Sequence, residues 1–101
     1  ALVNPDMPSV FIAPDDALFE KNASNIQEVR ARRGPVIGVG TEGHRELADI
    51  TDDTLWVPAA PDWLMPVLTV IPLQLLAYQI AVNRGCDVDK PRNLAKSVTV
   101  E

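Results

Sequence analysis

The chain has a single cysteine and a single histidine among its 101 residues, and this scarcity limits its chemistry. With Cys86 alone, no disulfide can form within the chain, which favours a reducing compartment. His44 and Cys86 lie far apart in the sequence and have no helper residues beside them, so they predict neither a catalytic dyad nor a set of metal ligands. We therefore expect no metal and no cofactor.

Cationic residues are also few. Lys and Arg together number 9 against 14 Asp and Glu, which gives a net charge of −5. A protein that binds nucleic acid or an anionic membrane needs a broad basic face, so neither partner is expected. The opening residues, "ALVNPDMPSV", lack the basic and long apolar regions of a signal peptide and lack an initiator Met. We expect a cytoplasmic protein, and the start is typical of a piece of a longer chain.

What the sequence does contain is an alternation of short apolar runs with helical patterns. The apolar runs predict buried strands near 9–13, 36–39 and 55–58. Between and after them, the spacing predicts helices near 15–33 and 62–84, with a short helix over "GHRELADI". This order indicates an α/β fold with a parallel sheet and right-handed crossovers.

The ends of the first helix are predicted from its flanking residues. Asp15 and Asp16 stand where N-caps are favoured, and Gly34 stands where a C-cap is favoured. The three arginines near its end, at positions 30, 32 and 33, are interpreted as complementing the helix dipole, with a phosphate site as the alternative.

The segment 63–82 is apolar enough to permit two interpretations. Twenty mostly apolar residues are long enough to span a membrane, but two prolines and two glutamines interrupt them and no basic cluster flanks them. We favour a helix buried in the core or at a subunit interface. Pro66 is expected in its first turn, Pro72 to bend it, and Gly85 to end it.

Two local motifs are interpreted as structural. The glycines of "GVGTEG", at 38, 40 and 43, match a dinucleotide-binding spacing, but they follow a second strand and lack an acidic partner in the expected place. His44 is predicted to be a surface residue.

The C-terminal segment carries the specific signal. "PLQLLAYQIAVNRGCDVDKPRNLAKSVTVE" closely resembles the C-terminus of the isomerising glutamine–fructose-6-phosphate aminotransferases, the glucosamine-6-phosphate synthases. That family ends in D-V-D-x-P-R-N-L-A-K-S-V-T-V-E, and every fixed position is present from Asp87 to Glu101. "SNIQEVRAR" (24–32) is similar to the same family.

The resemblance implies a domain organisation. The family has a glutaminase domain followed by two sugar-isomerase (SIS) subdomains, each a three-layer α/β/α sandwich of flavodoxin-like type with a parallel sheet. Residues 1–85 then correspond to the later part of the second SIS subdomain, and residues 86–101 to a tail that closes the active site. The implied partners are the glutaminase domain and first SIS subdomain of the same parent chain, and a second copy in a homodimer.

The resemblance also implies a catalytic residue. Lys96, in the A-K-S of the tail, would form a Schiff base with the C2 carbonyl of fructose 6-phosphate, and Ala95 would line the substrate site. Ammonia from glutamine and a ketose–aldose isomerisation would then give glucosamine 6-phosphate, for amino sugar and UDP-GlcNAc biosynthesis. A Schiff base needs a neutral amine, so the site must lower the lysine pKa from about 10.4. The family residues for ring opening and phosphate binding have no counterparts in this chain.

Three functions are compared. The first is a part of the aminotransferase that carries Lys96. The second is a non-catalytic SIS module that binds a sugar phosphate, against which the intact A-K-S speaks. The third is a small membrane protein built around residues 63–82.

Overall fold

The fold is described from a computed structural model, and the description covers residues 2–89. Three strands and three helices alternate along this part of the chain. In order they are β1 (Ser9–Ile12), α1 (Phe19–Ala31), β2 (Val36–Thr41), α2 (Arg45–Ile50), β3 (Asp53–Val57) and α3 (Met65–Asn83).

The strands form one parallel sheet with β2 in the middle. Phe11 of β1 lies opposite Gly38 of β2, and Val39 of β2 lies opposite Leu55 of β3. The predicted parallel pairing is confirmed. Because each strand is followed by a helix, the chain returns to the same edge of the sheet before each new strand begins.

Helices cover both faces of the sheet. On one face, α1 and α2 pack over a core that includes Phe19, Ile26 and Leu47. On the other face, α3 packs Met65 against Val39 and Val57. The three-layer α/β/α sandwich implied by the resemblance is therefore confirmed.

The start of α1 corrects the expected N-caps. The helix begins at Phe19 with Leu18 as its N-cap residue, rather than with either aspartate. The Asp16 carboxylate instead accepts the backbone N–H of Leu18 at 2.9 Å, and the N–H of Asp15 donates to Thr41 Oγ1 at 2.9 Å. Both aspartates lie in the turn that joins β1 to α1, and the Asp16 side chain stabilises this turn by bonding to the backbone two residues on.

The end of α1 corrects the expected C-cap. Arg33, and not Gly34, is the residue with positive φ, at 61°. The N–H groups of Arg33 and Gly34 donate to the carbonyls of Arg30 and Val29, the two bonds of a Schellman motif. Gly34 is required for a different reason, since a Cβ there would lie 2.6 Å from Val3 Cγ1.

Arg33→Gly is expected to raise the free energy of unfolding by about 1 kcal/mol, because a side chain in the left-handed region is strained and glycine is not. Urea denaturation measures the change. The control is Arg32→Gly, at the preceding position, where φ is −93° and glycine brings no relief. Equal effects of the two substitutions would contradict the strain at Arg33.

Two glycines of "GVGTEG" serve the packing of α2 on β2. A Cβ at Gly40 would overlap the Leu47 side chain and lie 3.0 Å from the carbonyl oxygen of Ala13. A Cβ at Gly38 would lie 2.8 Å from Thr51 Cγ2. The close packing of α2 and Thr51 on β2 therefore accounts for the glycines at positions 38 and 40.

The third helix is less buried than expected. Only Met65 and Thr69 are buried residues of α3, whereas large side chains such as Leu75 and Tyr78 are more than half exposed. Of the two expected environments, burial in the core of this chain is wrong for most of α3, because the three-stranded sheet covers only one side of the helix. Burial at a subunit interface stays a prediction. Pro66 lies in its first turn as predicted, and Gly85, with φ 75°, follows its end.

Candidate functional site

The carboxyl ends of the three strands meet at one edge of the sheet, where ligands of open α/β folds usually bind. A cavity of about 380 Å³ opens there between the end of β1 and the first half of α3. Its lining is Ile12, Pro14, Asp16, Asp62, Met65, Pro66, Thr69, Val70 and Leu73.

The polar groups of this cavity are few. The carboxylates of Asp16 and Asp62 lie on its wall, while Thr69 Oγ1 donates to the carbonyl of Met65 at 2.9 Å and is thereby satisfied within its own helix. The described lining holds neither a cation nor a nucleophile other than the Thr69 hydroxyl. The cavity therefore presents a largely apolar surface, and none of its described lining residues has an amine that could form an imine.

His44 lies near the same edge, and its position corrects the predicted surface location. Its side chain is 17% exposed and its ring packs edge-on against Phe19, with ring centroids 4.2 Å apart. Nε2 lies 3.7 Å from an Asp15 oxygen and 3.9 Å from a Glu46 oxygen. Nδ1 is buried and has no hydrogen-bond partner among the described residues. The partial burial of the His44 ring was not predicted, because nothing in "TEGHREL" indicates that Phe19 of α1 packs against it.

At the opposite edge of the sheet, the arginines that end α1 make mainly backbone contacts. Arg32 Nη1 donates to the carbonyl of Glu28 at 3.1 Å, and Arg30 Nη1 donates to that of Asp49 at 3.4 Å. Arg30 and Arg33 also line a hollow of about 240 Å³, but the carboxylate of Asp52 shares it. These contacts fit the interpretation that the arginines complete the helix end.

The two residues predicted from the tail lie outside the described part of the chain. Lys96 and Ala95 follow residue 89, so the structure does not place them. It does place the segment that leads to them. Beyond α3 the backbone N–H of Cys86 donates to the carbonyl of Ala81 at 2.9 Å, and the Cys86 side chain is exposed.

The geometry limits where the tail can go. Helix α3 starts beside the cavity and, at about 1.5 Å per residue, extends about 28 Å away from it. The described residues end at Asp89, and Lys96 comes seven positions later, a reach of about 25 Å for a fully extended chain. Lys96 can therefore lie no farther than about 25 Å from Asp89.

Comparison with known proteins identifies relatives over the whole chain. A glutamine–fructose-6-phosphate aminotransferase (isomerising) from Chlorobaculum tepidum is 54% identical over 101 residues, which are 100% of this chain and 16% of the relative. The same enzyme from Thermus thermophilus is 54% identical over 100% of this chain and 17% of the relative. The chain thus spans about a sixth of the length of the curated relatives it matches.

A solved structure and a family model agree with these relatives. The C-terminal domain of glucosamine-fructose-6-phosphate aminotransferase from Francisella tularensis superimposes with a TM-score of 0.80 and 41% identity, over 88% of this chain and 25% of that one. The resemblance proposed from the tail is confirmed. The model of the SIS domain matches residues 1–84. The chain belongs to the SIS domain family.

Proposed function

We propose that the chain is part of the isomerase half of an enzyme that makes glucosamine 6-phosphate from fructose 6-phosphate and glutamine-derived ammonia. The observation that carries this proposal is the 54% identity to the isomerising aminotransferases across all 101 residues, tail included. The SIS fold alone would support only a sugar-phosphate-binding module, because one fold hosts many functions.

In the proposed reaction, the neutral Lys96 amine attacks the C2 carbonyl of open-chain fructose 6-phosphate. A C–N bond forms and water leaves, giving a Schiff base. Ammonia then replaces the lysine at C2, and proton transfer between C1 and C2 converts the ketose imine into the aldose, glucosamine 6-phosphate. Lys96 is thus free for the next turnover.

The described residues serve this chemistry as a scaffold. In this proposal, residues 1–85 would be the later part of the second SIS subdomain, and residues 86–101 would be the tail that closes the site. Helix α3 anchors the tail, since Gly85 redirects the chain after Arg84 and the Cys86 N–H is bonded back to Ala81. Ala95 would lie against the sugar beside Lys96.

The rest of the proposed site comes from outside this chain. Ring opening and phosphate binding require groups of the parent polypeptide, which supplies a glutaminase domain and a first SIS subdomain. We also propose a homodimer and a cytoplasmic location, and a place in amino sugar biosynthesis.

An exchange of segments tests the function. The 101 residues of the Chlorobaculum tepidum enzyme that match this chain are replaced by this chain, and glucosamine 6-phosphate is measured. We expect synthesis within about tenfold of the unmodified enzyme, because the binding geometry is retained. A control that ends at Gly85 should hydrolyse glutamine without making the amino sugar. A folded chimera that binds fructose 6-phosphate but makes no product would favour the non-catalytic module.

A further inference from the structure

A small hollow with two cationic side chains lies at the amino edge of the sheet. Arg30 and Arg33, from the end of α1, line it together with Gly34, Pro35 and Asp52. Its volume of about 240 Å³ is below the roughly 300–1,000 Å³ of pockets that enclose drug-sized molecules. A ligand held there would therefore be a small ion or one charged group of a larger molecule.

Both guanidinium groups are available to such a ligand. The two arginines are exposed, and within residues 2–89 neither has a carboxylate oxygen at ion-pair distance. Arg30 Nη1 donates a long bond of 3.4 Å to the carbonyl of Asp49, and Arg33 makes no side-chain hydrogen bond to a described residue. A guanidinium presents a planar set of donors that matches the oxygens of a phosphate group.

The backbone at Arg33 is a second, independent observation. Arg33 has φ 61° at the first position after the C-cap of α1, where glycine is the usual residue because it is not strained there. The helix dipole explains why cations lie near this end, but Arg30 and Arg32 already supply that charge. It does not explain an arginine at the strained position itself. Strain of this kind is typical of residues that are retained for a function.

Asp52 lowers the charge of the hollow without neutralising it. One oxygen of its carboxylate accepts the backbone N–H of Val36 at 2.7 Å, which holds the side chain beside the start of β2. Two guanidinium groups against this single carboxylate leave an excess of positive charge, in a chain whose net charge is −5. The hollow therefore favours an anionic ligand.

We propose that this hollow is a binding site for a phosphate group, either inorganic phosphate or the phosphate of a small phosphorylated metabolite. The guanidinium groups of Arg30 and Arg33 donate hydrogen bonds to its oxygens. The strained backbone of Arg33 is retained because glycine at this position would supply no donor. No residue of the tail takes part, so the site goes beyond the proposed synthase function and can fail or hold independently of it.

Titration of the isotope-labelled 101-residue chain with sodium phosphate, followed by NMR at constant pH, tests the site. Sodium chloride at the same ionic strength is the salt control. We expect the amide signals of Arg33 and Gly34 to shift saturably with phosphate and not with chloride. A parallel titration with glycerol phosphate distinguishes the two sources, and both results support the site. Tighter binding of the ester assigns a phosphorylated metabolite, and tighter binding of inorganic phosphate assigns the free ion.

Arg33→Gly is the most informative variant, because it removes a donor and is expected to stabilise the fold. Its dissociation constant for phosphate should rise at least about tenfold, the effect of losing one charge-assisted hydrogen bond. Phosphate should also raise the melting temperature of the unsubstituted chain and leave that of Arg33→Gly nearly unchanged. The matched control is Arg32→Gln, which removes an exposed arginine outside the hollow and should keep the dissociation constant within about twofold.

Asp52→Asn should change the affinity in the opposite direction. The asparagine oxygen can still accept the N–H of Val36, while the loss of negative charge should tighten phosphate binding severalfold. Equal shifts with phosphate and chloride would overturn the proposal, and so would equal weakening by Arg33→Gly and Arg32→Gln. A folded Arg33→Gly chain that binds phosphate as tightly as the unsubstituted chain would overturn it as well.

Discussion

Lys96→Ala in the intact enzyme is expected to abolish the synthesis of glucosamine 6-phosphate while sparing the hydrolysis of glutamine. The alanine has no amine to attack the C2 carbonyl, and loss of a covalent catalyst reduces turnover by about 10³-fold or more. Glutamine hydrolysis uses the glutaminase domain and does not need this amine. The two activities are measured on the same preparation of the chimeric enzyme.

Lys90→Ala is the matched control for this substitution. Lys90 lies in the same tail, carries the same charge, and occupies the variable position of the family ending. The control enzyme should retain synthesis within a few-fold of the unsubstituted chimera. If Lys90→Ala removed synthesis and Lys96→Ala did not, the assignment of the nucleophile would be wrong.

The isolated 101-residue chain is expected to make no glucosamine 6-phosphate above background, although it contains Lys96. Schiff-base formation requires an open sugar ring and an anchored phosphate. The groups for both lie elsewhere in the proposed parent. Effective molarities of about 10⁵–10⁸ M depend on a held geometry, and loss of that geometry removes most of the rate.

The measurement is incubation of the isolated chain with fructose 6-phosphate and ammonia, followed by quantification of the amino sugar. The chimeric enzyme under the same conditions is the positive control. Product formed by the isolated chain at a rate approaching that of the chimera would show that the site is self-sufficient.

The sheet could be predicted from the sequence because its strands are short apolar runs bounded by turn residues. "PVIGVG" is one such run, and it became the central strand β2. Parallel order followed from the helical spacing between the runs. These signals are local, so they can be recognised in the sequence without knowledge of the tertiary structure.

The predictions from the sequence were wrong where contacts between distant residues determine the local conformation. Asp15 and Asp16 have the composition of N-caps, but the turn beside Thr41 uses them differently. Arg33, and not Gly34, has the left-handed backbone conformation, while Gly34 lies against Val3. The partial burial of the His44 ring involves contact with Phe19, which is distant in sequence. None of these contacts can be predicted from the residues adjacent in the sequence.

Which side of α3 is exposed could not be predicted, for a related reason. A helix that is apolar on all sides has no periodic signal to show which side meets the sheet and which meets another body. Lys96 presents the opposite case. Nothing in its local composition distinguishes it from a solvated lysine, and the family ending alone identified it.

Reductive trapping of the imine shows directly whether Lys96 is the nucleophile. The chimeric enzyme is incubated with fructose 6-phosphate, treated with borohydride, digested and analysed by mass spectrometry. We expect the peptide containing Lys96 to gain the mass of fructose 6-phosphate less one oxygen, because the imine forms with loss of water and is then reduced by two hydrogens. An active chimera whose trapped sugar is found on a different residue would contradict it.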